Sequence, residues 1–312
     1  MPNTPSIHPE MQLLMSAREA VPAGQTLEQA RAAWSAYSAA LAHPHPTDME
    51  VQDRMIPTGE IEVPVRIYRP AGPHGPRPCI IYLHGGGFMK GDLDSSDTNA
   101  WGYAQETGAC VVNVDYRLSP EHPHPAAFDD CYGVLGWVAR EGTAIGIDAG
   151  KIALVGDSAG GSLAAAVCLA ARDRGGPSIS AQVLIDPCTG TDLNSASYVE
   201  NADAPGLSTK SMESYYRLYL ADNEDPEDPY ARPDKANHFS NLPPAFIHPA
   251  EIDPIRDDGR AYASKLAMAG GDVVLKEAKG MIHGFLRARL SGPAAAEEFR
   301  AECVFLKQHL GI

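Results

Sequence analysis

Strands and helices alternate through most of this 312-residue chain, which predicts an α/β fold: a mostly parallel sheet with helices on its faces. Two local features support that class. An apolar run at 78–83 closes on the glycine-rich string His84-Gly85-Gly86-Gly87-Phe88, and a second at 151–155 closes on Gly156-Asp157-Ser158-Ala159-Gly160-Gly161 and then a small-residue helix. Strand, tight turn and helix in that order are what an open α/β sheet presents at its carboxyl edge.

The first 48 residues carry two helix-compatible segments, 9–19 and 26–41, with no strand alternation. From Met49 the pattern changes. Ile61, Val63, Val65 and Ile67 alternate with Glu62, Pro64, Arg66 and Tyr68, as in an antiparallel strand with one buried face. Then come a strand at 78–83, a helix near 98–107, a strand at 109–115, a helix near 125–140, the strand before Ser158 with its helix, and a strand at 181–186. Between Cys188 and Asn241 the rhythm breaks into an Asp/Pro-rich stretch whose one helical pattern, 212–220, holds Tyr215, Tyr216 and Tyr219. It resumes with a strand at 244–252, a helix at 258–269, a strand at 272–278 and a helix at 294–309. This division predicts an α/β core of 49–188 and 242–312, with a helical appendage at 1–48 and a candidate lid element at 189–241.

The formal net charge of -15 argues against nucleic acid or an anionic membrane surface as a partner and favours an uncharged or cationic small molecule. No apolar stretch is long enough to span a membrane, and Met1 to Glu10 has neither the basic flank nor the apolar core of a signal segment. The expected location is the cytoplasm. Six cysteines, at 79, 110, 131, 168, 188 and 303, form no Cys-x-x-Cys pair and read as buried free thiols; Cys79 and Cys110 fall on runs that could be neighbouring strands.

Glycines at 156 and 160 leave room for a strained turn that exposes the Ser158 hydroxyl as a nucleophile elbow. A serine hydroxyl needs a base. Among eleven histidines, His283 is the best candidate, because it follows a strand by a short loop and completes the chain order Ser, acid, His. His8, His43, His45, His74 and His309 read as solvated. Asp253, directly after the 244–252 strand, is the preferred acid. Glu251, Asp257 and Asp258 are its rivals, the last two better placed as carboxylates in the first turn of a helix. Backbone N–H groups in the glycine loop and at Ala159 are placed to stabilise an oxyanion, while His84 is expected to order its loop.

Five blocks stand in one order: 82–94, Asp115-Tyr116-Arg117-Leu118-Ser119-Pro120-Glu121-His122-Pro123, 156–161, Asp253-Pro254-Ile255-Arg256-Asp257 and His283-Gly284-Phe285. From about Met49 onward the chain resembles the hormone-sensitive-lipase-like branch of the α/β-hydrolases, the bacterial family IV esterases. The resemblance implies an eight-stranded sheet and a serine carboxylesterase acting on short-chain acyl esters without cofactor or metal. It implies Ser158 as nucleophile, His283 as base, Asp253 as acid and Gly86, Gly87 and Ala159 as oxyanion donors, with Arg117 and Glu121 structural. Amidases and lactonases share the triad. Non-catalytic receptors on this fold lack the histidine that this chain keeps. The residues leave a homodimer open. Two departures affect substrate preference: Asp186-Pro187-Cys188 stands where relatives commonly have an aromatic residue, and His124 where they often have Phe.

Overall fold

A computed structural model describes residues 6–21, 24, 26–72, 75–190, 192–221 and 227–312, leaving His74 outside the described residues. Its centre is an eight-stranded sheet built from β1 (Glu50–Pro57), β2 (Glu62–Arg69), β3 (Arg77–Leu83), β4 (Cys110–Val114), β5 (Ile147–Asp157), β6 (Ala181–Ile185), β7 (Ala245–His248) and β9 (Val273–Leu275). The spatial order is β1-β2-β4-β3-β5-β6-β7-β9. β1 pairs antiparallel with β2, and β2 antiparallel with β4. From β4 to β9 every pairing is parallel. The chain steps from β3 to β4 on one side and from β4 to β5 on the other. The carboxyl ends of β3 and β5 therefore flank the point where strand order reverses, where open α/β sheets bind ligands.

Fully buried β-branched and aliphatic residues fill β3 to β6, as expected for strands covered on both faces. One face is covered by α4 (Ala126–Glu141), α5 (Ala159–Asp173) and α8 (Arg256–Met268), the other by α3 (Leu93–Thr107) and α9 (Pro293–Leu310). N-terminally, α1 (Gln12–Glu19) and α2 (Leu27–Ala40) match the expected helices, and Thr26 and Gln29 close a capping box at the start of α2. In the 189–241 stretch lie α6 (Ala196–Glu200) and α7 (Thr209–Leu220).

Three features differ from the sequence reading. Residues 50–57 form a strand of their own, which mixed polar residues and an exposed edge position hid. The expected strand at 244–252 is two: Pro249 breaks the ladder after His248, and β8 (Ala250–Ile252) leaves the main sheet to pair in parallel with β10 (Ala278–Ile282). The expected strand at 272–278 likewise ends at Leu275, and Ala278 opens β10. All six cysteines are buried free thiols, although Cys79 and Cys110 are register partners on β3 and β4.

Candidate active site

Ser158 sits between β5 and α5 with φ 55°, a left-handed conformation that side chains other than glycine seldom adopt. The turn is tight enough that a Cβ on Gly160 would lie 1.9 Å from the Leu83 carbonyl oxygen. The Ser158 N–H donates to Ile185 O at 2.8 Å, anchoring the turn to the neighbouring strand. This strained backbone is the local price of presenting the hydroxyl outward.

His283 and Asp253 are brought together by the small second sheet. Ile252 and Ile282 are register partners on β8 and β10, so the residue after each is set side by side at the strand ends. Asp253 Oδ2 accepts from His283 Nδ1 at 2.7 Å, and His283 Nε2 lies 3.0 Å from Ser158 Oγ. The Ile255 N–H donates to the other Asp253 oxygen at 3.0 Å. The three rivals for the acid point elsewhere. Glu251 accepts from the Gly280 N–H, Asp257 from Ser197 N–H and Asp258 from Gly190 N–H. The last two begin α8 as expected, yet their carboxylates tie the 189–201 segment to the core.

A fourth group completes this cluster. Asp186, fully buried at φ 42°, accepts from Ala250 N–H at 2.7 Å and Gly284 N–H at 2.9 Å, and its Oδ2 lies 3.8 Å from His283 Nδ1. Burial first, then the charge of Asp253, push its carboxyl up to about 7. Burial opposes a charged imidazole at His283, but the charge and hydrogen bond of Asp253 together with Asp186 outweigh it and hold the ring above its ordinary value. Asp186, Asp253 and His283 put one donor atom each within 4.8 Å of one another, the arrangement nearest to a metal site among the described residues. Their imidazole is already engaged by Asp253 and Ser158.

The glycine loop after β3 lies against the same serine. Tyr82 Oη and the Gly85 N–H both donate to Asp157 Oδ1, at 2.6 and 3.1 Å. Tyr116 donates to His84 O at 2.6 Å while its ring stacks on the His84 imidazole at 4.2 Å. Burial lowers the pKa of His84, so the ring stays neutral and serves the loop. Gly87 has φ 62°, and a Cβ there would lie 2.6 Å from the Tyr215 ring of α7. The Gly86 and Gly87 N–H groups donate to no backbone acceptor among the described residues. Ala159 opens α5, where an N–H has no intrahelical acceptor.

These strand ends, this turn and the order Ser158, Asp253, His283 match a known family. A family model for the alpha/beta hydrolase fold aligns with residues 80–287. The chain belongs to that family, in its hormone-sensitive-lipase-like branch. This hydrolase is 42% identical over 260 residues to an esterase, LipI, of Mycobacterium tuberculosis, covering 78% of this chain and 81% of the relative. It is 37% identical over 253 residues to an ethyl acetate hydrolase of Pseudomonas putida, covering 80% and 79%. The crystal structure of a thermostable esterase from Pseudomonas putida ECU1011 superposes with a TM-score of 0.93 at 32% identity, covering 99% of both chains.

Other residues around the cleft of the hydrolase escaped the sequence reading. The cleft above Ser158 is lined by Arg18 of α1, Trp34 of α2, Lys90, Leu207, Tyr215 of α7 and Arg287. They come from five distant segments; Lys90 alone sits in a motif block, 82–94, and Tyr215 in the 212–220 helical pattern. His124, noted as a departure, also has clear partners. His124 lies 3.1 Å from Tyr219 Oη and 2.8 Å from Asp228, while Tyr219 stacks on Phe88 beside the glycine loop at 3.7 Å. Arg117 forms a forked pair with Asp130, and Glu121 one with Arg31 of α2, so both are structural as expected.

Proposed function

We propose that this hydrolase is a serine carboxylesterase acting on short-chain acyl esters through an acyl-enzyme on Ser158. The observation that carries the reading is the unbroken hydrogen-bond chain from Ser158 through His283 to Asp253, beside Gly86 and Gly87 N–H groups that have no backbone acceptor among the described residues. His283 takes the Ser158 proton as Oγ attacks the ester carbonyl. The carbonyl oxygen gains negative charge, which the N–H groups of Gly86, Gly87 and Ala159 stabilise. The alcohol leaves with the proton from His283. Water, deprotonated by the same ring, then attacks the acyl carbon and frees the acid and Ser158. Asp253 holds the tautomer that presents a basic Nε2 and offsets the imidazolium charge.

In the same reading, 1–48 and 189–241 form a cap over a core of 49–188 and 242–312. Three contacts support it: Tyr215 against Gly87, Tyr219 on Phe88, and Arg31 bound to Glu121, Met89 O and Ser119 O. A cleft closed in by Trp34, Leu207 and Tyr215 suits a short acyl chain. Six free thiols suit a reducing compartment, and we place the enzyme in the cytoplasm.

The test is initial-rate hydrolysis of nitrophenyl esters from acetate to palmitate, wild type beside Ser158→Ala. The expected result is a rate maximum among the short chains and a loss of about 10⁴-fold or more in the variant. Wild-type-like rates in the variant, or no turnover at any chain length, would overturn the reading.

A further inference from the structure

The chain as a whole is strongly acidic, yet the roof of its cleft is cationic. Lys90 Nζ lies 5.2 Å from the centre of the Trp34 ring, Arg287 Cζ 4.8 Å and Arg18 Cζ 6.0 Å, so three positive charges surround one indole in the cleft wall. None of the three forms an ion pair among the described residues. Lys90 donates to Tyr215 Oη at 2.8 Å, and Arg287 to Ser38 Oγ and Ser95 O, all neutral acceptors. The acidic side chain in the lining, Asp157, is already taken by Tyr82 and Gly85.

Two donors here are also orphaned. Arg18 Nε and Trp34 Nε1 are buried without a hydrogen-bond partner among the described residues. Three cations lining one cleft with no ion pair among the described residues favour an acceptor that carries negative charge. The group is close to the chemistry: Arg18 exerts a charge effect on His283.

We propose that this roof is an anion site, and that the preferred substrates are esters carrying a second, ionised carboxylate elsewhere in the molecule. The proposal rests on the esterase reading and deepens it. It reverses the expectation from net charge, because the field at a cleft is set by the charges lining it and nearby screening damps the distant ones. The carboxylate is faced by Arg18, Lys90 and Arg287, which line the cleft, while the ester carbonyl meets Ser158 below.

The experiment compares kcat/KM within two matched pairs by titrating the acid released. Monoethyl succinate against ethyl butyrate places the carboxylate in the acyl half; O-acetylglycolate against propyl acetate places it in the alcohol half. The anionic member of at least one pair is expected to be favoured about tenfold or more, equal to about 1.4 kcal/mol. That preference should shrink in about 0.5 M salt and in Arg18→Gln and Lys90→Gln, while Lys90→Arg retains it. The salt series needs no variant, so a misfolded protein cannot mask the answer. Neutral members turned over as well as or better than their anionic partners in both pairs would overturn the proposal and leave the esterase standing. No turnover of any member would remove the esterase reading, and the proposal with it.

Discussion

Below the cleft, Ser158, His283 and Asp253 are linked by hydrogen bonds with Asp186 close beside the imidazole, and backbone N–H groups of Ile255, Ala250 and Gly284 bind the remaining oxygens of the two carboxylates. Above it, among the described residues, Arg18 Nε and Trp34 Nε1 are buried and unpartnered, and Lys90 and Arg287 have only neutral acceptors. Floor and roof thus solve different problems. The floor must hold its geometry before any substrate arrives, because preorganised dipoles lower a barrier at no cost of rearrangement. The roof leaves three cleft-lining cations without an ion pair among the described residues, ready for an anion that comes and goes.

The floor breaks most completely at its acid. Asp253→Asn keeps the shape of the side chain but favours the wrong imidazole tautomer. It should reduce kcat on short esters by about 10⁴-fold with little change in KM; a loss below tenfold would remove Asp253 from its role. Asp186 tests a subtler point, since it shares the imidazole without a direct bond. In the proposed relay the base works as neutral imidazole, so activity is expected to rise as pH climbs through the His283 pKa, which both carboxylates hold above its ordinary value. In Asp186→Asn one negative charge is gone, the ring loses its proton more easily, and the acid limb of kcat/KM should move to lower pH by about one unit. The limb should also steepen, because the Asp186 carboxyl, pushed up to about 7, no longer titrates alongside. An unmoved limb would make Asp186 a purely structural acceptor for the Gly284 turn. The smallest effect belongs to the fastening of roof to floor. His124→Phe leaves Tyr219 Oη and Asp228 without this partner and should cost about 1–2 kcal/mol of stability in a denaturant melt, with a far smaller change in kcat/KM than either carboxylate variant. Unchanged stability would show that the stacking of Tyr219 on Phe88 suffices.

The same contrast explains what could be read from the residues alone. Ser158, Gly86, Gly87 and Ala159 lie in contiguous strings whose glycines are required by close backbone contacts, and the structure sets His283 and Asp253 in line with them. The parallel order of the sheet followed from strand–helix alternation. The roof was illegible because residues 18, 34, 90, 215 and 287 meet only through tertiary packing, with no shared period or motif. Asp186 stood out as a departure from the family pattern, but its approach to His283 depends on a positive φ at the end of β6 that no propensity announces. Pro249 offered a usable signal: a proline inside a central strand argues against a single strand, and the break it makes is where β8 leaves the sheet.

That break divides the proposed relay between two sheets. Asp253 and His283 ride on the β8–β10 pair, whereas Ser158 rides on the main sheet, so one of the relay's two hydrogen bonds is internal to a module and the other spans a joint. Small relative shifts on warming, or in an imperfect variant, should open the 3.0 Å gap between Nε2 and Oγ while the acid–base pair travels intact. Activity in this enzyme is therefore expected to fade on heating before the fold melts, and an engineer seeking heat tolerance would do best to stiffen the joint around Pro249 and leave the pair itself alone.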